Sequence, residues 1–211
     1  MGMIKKSVLS TVLLFVILSI LPMGCGLFCS DSCGCGPNFP PQTFRINSFE
    51  IFTAAFDGQQ IFPSTFLPYD KVFKAIRVKN FDLLGELKSP KFQGLNMAFA
   101  CSPPSPTSSK KLVDIQILNL NEVTFGDGTV LEPGQNISEL FAIGYFYSNS
   151  LKSIPEFIED GYTLYLEDLL KLGIRKNPGK EISLEVSISI VLQDGSAFTF
   201  QNEIWSLQPN S

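Results

Sequence analysis

The firmest constraint on the fold lies near the C-terminus, where Leu184, Val186, Ile188, Ile190 and Leu192 alternate with Ser183, Glu185, Ser187 and Ser189. Successive side chains of an extended strand point to opposite faces, so this order sets one face against a core and the other toward water or a second layer. After Asp194-Gly195 the apolar phase resumes at Phe198, Phe200 and Ile204, which predicts a hairpin. A two-residue Asp-Gly loop in a type I′ turn, with positive φ at both positions, suits the twist of the flanking strands.

Upstream segments have the same character. Phe44, Ile46, Phe49 and Ile51 lie in one β-rich run, and Val72, Ala75, Ile76 and Val78 mark a second that ends near Phe81 and is broken by basic residues. Phe92 to Cys101 and Leu112 to Phe125 follow, bounded by Gly, Pro, Asn and Asp clusters. Val113, Ile115 and Ile117 point one way, and Leu118 and Leu120 then shift the phase, predicting a bulge where the strand passes between sheets. Helix is sparse. Ser153 and Glu156 form a capping box before Phe157 and Ile158, and Leu166, Leu169, Leu170 and Gly173 follow helical spacing with a glycine stop, so two short helices are predicted over 154–173. Residues 102–111, SPPSPTSSKK, read as a mobile excursion between strands. The predicted fold is mainly β, a two-layer antiparallel β-sandwich with a short helical insertion near residues 154–173. A curled barrel would carry the same signs.

The other end of the chain reads as an address. Lys5 and Lys6 precede an apolar run from Val8 to Leu21, closed by Pro22, Met23, Gly24 and Cys25. This is the three-part layout of an export signal, and the run is shorter than the roughly twenty apolar residues that a membrane-crossing helix needs. The segment LPMGC resembles a bacterial lipobox, with Pro22 where leucine is usual and Leu21 one place early. The resemblance implies cleavage before Cys25 and acylation of its thiol, which would hold the protein at a bacterial membrane, the outer membrane being the expected one. Cleavage after Gly26 by ordinary signal peptidase is the alternative and would give a soluble secreted product. The domain reading is therefore residues 1–24 as lipoprotein signal peptide, 25–41 as a Cys/Gly/Pro-rich tether and 42–211 as a single β-sandwich domain.

With Cys25 lipidated, Cys29, Cys33, Cys35 and Cys101 remain, an even set that suggests two disulfides outside the cytoplasm. Pairing Cys33 with Cys35 would close a strained small ring, so one of these two is expected to reach Cys101, in either of two connectivities. Such a bridge contributes about 4 kcal/mol in the chain-entropy model. A four-thiolate zinc site is disfavoured by the Cys-x3-Cys-x-Cys spacing. The lipobox, the CGCGP segment at Cys33 to Pro37, the FRINSFE that follows and the terminal hairpin together resemble Bacteroidetes-type lipoproteins of an uncharacterised family. That resemblance implies an envelope location and leaves the activity open.

The composition excludes much chemistry. The chain has no histidine, which removes Ser-His-Asp and Cys-His hydrolysis and ordinary zinc catalysis. No Walker-type phosphate loop and no Gly-x-Gly-x-x-Gly after a strand is present. The net charge is −4 and more negative still without the two leader lysines, so nucleic acid is not an expected partner. No cofactor or metal is implied. Glu156, Glu159, Asp160, Glu167 and Asp168 are the densest acids and read as a solvated helix face, while Asp57-Gly58, Asp127-Gly128, Asp160-Gly161 and Asp194-Gly195 read as turns.

The nineteen phenylalanines argue for core. Tyr145, Phe146 and Tyr147 beside Ser148-Asn149-Ser150, and Trp205, are the candidates for a ligand surface, because Tyr and Trp combine a flat face with a polar handle. The expectation is a non-enzymatic envelope lipoprotein that binds or scaffolds an envelope protein or a glycan. The alternative is a carboxylate-dependent carbohydrate-active enzyme, and a purely structural component is a third reading. A binder needs an exposed aromatic or apolar patch, whereas a glycosidase needs two acids about 5–10 Å apart across a cleft.

Overall fold

Four long strands carry enough inward-facing apolar side chains to close a core between two sheets. The computed structural model describes residues 42–85 and 104–210. In chain order the strands and the α-helix are β1 (Thr43–Ala55), β2 (Leu67–Pro68), β3 (Val72–Leu84), β4 (Thr107–Ser108), β5 (Leu112–Asn119), β6 (Val123–Thr124), β7 (Val130–Leu131), β8 (Phe141–Tyr145), β9 (Lys152–Ser153), α1 (Ile154–Ile158), β10 (Leu170–Ile174), β11 (Ile182–Leu192) and β12 (Ala197–Gln208), with a single 3-10 turn at Ser138–Leu140 before β8. A six-stranded sheet ordered β4-β1-β3-β10-β8-β9 packs on a four-stranded sheet ordered β2-β12-β11-β5, with β6 and β7 as a separate small pair. Pairing is antiparallel except at two edges, where β4 lies parallel to β1 and β2 parallel to β12. But for Pro104, the described residues form one compact unit.

Both sheets feed one core. Phe44, Ile46, Ile76, Leu172, Phe141 and Ile143 come from the larger sheet, and Leu184, Val186, Ile188, Ile190 and Trp205 from the smaller. Rings join the layers: Phe141 and Trp205 have centroids 5.0 Å apart, and Phe49 meets Phe198 edge-on at 5.1 Å. The uneven spacing of Phe44, Ile46 and Phe49 has a local cause, a pair of register shifts at Ile46/Ser48 and Ser48/Phe49 that carry Phe49 back to the inner face.

Lys74 shares the inner face of β3 with Val72 and Ile76 and is fully buried. Its Nζ donates to Thr53 Oγ1 of β1 at 2.9 Å and to Glu203 Oε2 of β12 at 2.6 Å, and lies 5.6 Å from the Trp205 ring centroid. Burial holds the amine below the ordinary lysine pKa, opposed by the hydrogen bond and charge of Glu203. One cross-layer ion pair thus sits against the largest core aromatic.

Several sequence expectations are corrected in detail. The second helix is absent: the segment around Leu170 and Gly173 is β10, all five of whose residues are buried. Leu170, Leu172 and Ile174 join the core while Lys171 and Gly173 lie under Phe73 on the other face, so apolar residues fall on both sides and their spacing mimics a helix. The helical insertion is α1 alone, capped by Ser153, whose side chain accepts from the Glu156 amide.

The hairpin between β11 and β12 closes through three residues, not two. Leu192 bonds Ser196, the Gly195 amide bonds Leu192 O, and Gly195 alone has positive φ, at 82°. That is a type I turn with a left-handed glycine, steadied by Asp194 Oδ1, which accepts from the Ser196 amide at 3.1 Å.

Further along, β12 carries a bulge opposite Val186 and Ile188, with Asn202 at φ 58°. It flips the phase, so Ile204 turns outward and Trp205 inward. In β5 the extra residue is at Val113, opposite the Val191/Leu192 step, and Val113 is exposed. No bulge occurs at Leu118. Instead Leu118 faces out and Asn119 holds the inward position, its Nδ2 3.1 Å from the carbonyls of Leu131 and Glu132 in the neighbouring hairpin. Within 102–111, residues 107–108 form β4, and Ser108 is buried with its hydroxyl taking the Leu164 amide at 3.0 Å. The expected strand at Phe92 to Cys101 lies outside the described residues.

Candidate functional site

The outer face of the larger sheet is built from Phe73, Ala75, Arg77 and Lys79 of β3, which period-two alternation turns away from the core. Gly173 makes room there: a Cβ built on it would stand 2.7 Å from the Phe73 ring, so only glycine lets that ring fold across β10. Phe73 then meets Phe146 edge-on at 6.4 Å, and Lys171 Nζ lies 5.0 Å and 5.9 Å from the two ring centroids. Ala54, Ala75 and Phe146 form a second small core with Phe52 and Leu169.

Beside it lies a groove of about 610 Å³, lined by Glu50, Arg77, Lys79, Tyr147, Glu167 and Asp168 together with Val78, Leu166 and Leu169. Tyr147 is 84% exposed over it. The polar lining is held in place from behind. Glu50 Oε2 accepts from Arg77 Nε at 2.7 Å, and the Arg77 guanidinium lies 5.4 Å from the Phe52 ring centroid. Glu167 accepts from the Ser105 hydroxyl. Asp168 Oδ2 accepts the Tyr165 amide and lies 2.8 Å from Tyr162 Oη, which is 2.7 Å from Tyr145 Oη. A carboxylate only accepts, so the Tyr162 proton points to Asp168 and the Tyr145 hydroxyl supplies the second bond. The rings of Tyr145, Phe157 and Tyr162 pack on one another with centroids 4.9–6.2 Å apart, which gives α1 a role: it brings Phe157 under the two tyrosines.

Burial first, then the Tyr145 and Asp168 hydrogen bonds, push the Tyr162 phenol above its ordinary pKa. A group whose folded pKa exceeds its unfolded value of about 10 contributes stability that is complete below that pH and is lost progressively as pH rises from there toward the folded value. Tyr162→Phe is therefore expected to show a shallower fall of Tm between pH 9 and 11 than the wild type. Equal slopes would assign the alkaline loss to another group.

The sequence candidates separate cleanly. Tyr147 lines the groove, and Tyr145 orders it through Tyr162 and Asp168. Phe146 is buried beneath. Trp205 is fully buried between the sheets, which corrects its reading as ligand surface: the bulge at Asn202 turns it inward. Cys25, Cys29, Cys33, Cys35 and Cys101 all lie outside the described residues. Among the acids, Glu167 and Asp168 belong to the loop before β10 and not to a helix face.

Sequence reasoning missed Arg77, Lys79 and Glu50. Its one available signal was that Arg77 and Lys79 stand two apart in a strand and so share a face. The four Asp-Gly pairs are turns, each glycine having φ between 82° and 90°. Among the described residues no group of acidic or thiol side chains is placed to hold a metal, and no helix is long and apolar enough to cross a membrane.

The connection after β1 adds exposed aromatics nearby. Phe56, Phe62 and Phe66 are exposed, Phe62 to 81%. The connection is tied to the smaller sheet by Ser206 Oγ donating to Pro63 O at 2.9 Å, and a Cβ on Gly58 would lie 3.7 Å from Tyr147 Oη.

No family model matches the chain, and no curated protein does. Among solved structures the chain is similar to the C-terminal domain of the Streptococcus agalactiae AgI/II polypeptide BspA, at 11% identity and a TM-score of 0.26. The match covers 76% of this chain and 49% of that one, so the chain spans about half of that structure's length. A likeness at that level carries nothing about function.

Proposed function

We propose that the protein is a cell-envelope lipoprotein of the Bacteroidetes-type kind, anchored through acylated Cys25, whose β-sandwich is a non-enzymatic module that binds glycan in the groove beneath Tyr147. The observation that carries this reading is Tyr147 itself, an aromatic ring 84% exposed above a groove of fixed polar groups. The C–H face of a sugar ring packs on such a ring, while carboxylate and guanidinium groups held by neighbours hydrogen-bond its hydroxyls without an ordering cost at binding.

Retention on immobilised envelope glycan is the test. Tyr147→Ala is expected to lower affinity about tenfold, consistent with loss of an aromatic anchor, at unchanged Tm because the ring is exposed. Equal retention would remove the groove from the account. The anchor is tested separately: wild type is expected to take up labelled fatty acid and to fractionate with membranes, and Cys25→Ala to do neither.

A carboxylate-dependent carbohydrate-active enzyme draws on Glu50, Glu167 and Asp168 lining one groove. Each already accepts from a donor of its own, Arg77, Ser105 or the Tyr162 and Tyr165 pair, an arrangement that suits carboxylates kept as fixed acceptors.

A further inference from the structure

The groove has an unequal account of committed and uncommitted charge. Arg77 is paired with Glu50, and Glu167 and Asp168 accept from neutral hydroxyl and amide donors. Lys79 is different: among the described residues no ion pair engages its amine, and it lines the groove. Arg77 and Lys79 stand two residues apart on β3, about 7 Å along one face. On that same face Lys171 is paired in register with Ala75, two residues beyond Arg77. Lys171 is only 8% exposed and, among the described residues, has aromatic neighbours in place of an anion. Arg77 and Lys79 are thus the two cations that line the groove, on a chain whose net charge is negative, while Lys171 lies buried. A local cation with no partner is where an incoming carboxylate gains a charge-assisted bond without breaking one.

From this geometry we infer that the groove selects an acidic saccharide, a uronic-acid-containing glycan whose ring packs on Tyr147 while its carboxylate meets Lys79 beside Arg77. The inference rests on the reading of the groove as a glycan site and adds the charge of the ligand.

The experiment is titration calorimetry of the full chain with tetramers of galacturonate, glucuronate and mannuronate, each beside its carboxyl-reduced counterpart. At least one acid is expected to bind about tenfold or more tightly than its reduced partner, as a charged hydrogen bond would give. Lys79→Gln is expected to abolish that difference and Lys79→Arg to keep it. Lys79 is exposed, so its variants are expected to fold as the wild type does. Equal binding of acid and reduced tetramers would overturn the acidic ligand and leave the glycan groove standing. Binding to none of the acids would also overturn it, and the effect of Tyr147→Ala on envelope glycan would then decide the groove by itself. A preference for acid that survives Lys79→Gln would overturn the role given to this face.

Discussion

Trp205→Ala is expected to destabilise the sandwich by about 4 kcal/mol, in the range for truncating a buried aromatic. For a domain of this size that lowers Tm by roughly 8–16 °C. Trp205 is fully buried, lies 5.0 Å centroid to centroid from Phe141 of the opposite sheet, and is approached by the Lys74 amine, so its loss opens a cavity that two sheets and an ion pair must share. Trp205→Phe is expected to cost much less. It keeps most of the ring and removes an indole N–H that, among the described residues, has no hydrogen-bond partner. Urea unfolding of the three proteins checks both statements. A loss below about 1 kcal/mol for Trp205→Ala would mean that the ring is not a core residue.

The second large effect belongs to the ion pair beneath that ring. Glu203→Ala leaves the fully buried Lys74 amine with Thr53 as its remaining partner, and is expected to cost about 3 kcal/mol at neutral pH. The double change Lys74→Met with Glu203→Leu removes both charges and is expected to fall within about 1 kcal/mol of wild type, because desolvation of a buried pair offsets most of its attraction.

pH separates this pair from packing. Lys74 already titrates below 10.5, and without Glu203 it is displaced further. In the window between the folded value and 10.5 the unfolded chain binds more protons than the folded one, so stability rises with pH. The deficit of Glu203→Ala relative to the double variant is therefore expected to shrink as pH is raised from 7 toward 10. A constant deficit would place the cost in lost contacts and not in a stranded charge.

How far these features could be read in the sequence depended on whether one face of a segment stayed polar. The hairpin from Leu184 to Leu192 was legible because serines and a glutamate mark its second face. β10 was not, because both of its faces are covered and LLKLGI then fits either period. Trp205 was misplaced by one residue's worth of phase, hidden in a bulge whose only sign is an asparagine with positive φ. Lys74 gave no hint of burial, since lysine is exposed by default and only the meeting of β1, β3 and β12 supplies its partners.

At the site, Tyr145 and Tyr147 were found from residue type beside a polar loop. Their different tasks come from the end of β8: Tyr145 still pairs with Leu170, whereas Tyr147 is past the strand. The opposing wall needed the pairing of β1 with β3, which sets Glu50 against Arg77, a relation that no local pattern encodes.

Hydrogen exchange of the full chain, free and with the envelope glycan it retains, tests the groove most directly. Amides of 146–150 and 165–169, which flank Tyr147 and carry Glu167 and Asp168, are expected to slow on binding, while those of 56–66 keep their free rates. Protection confined to 56–66, or none at all in the presence of bound glycan, would contradict the assignment of binding to the face beneath Tyr147.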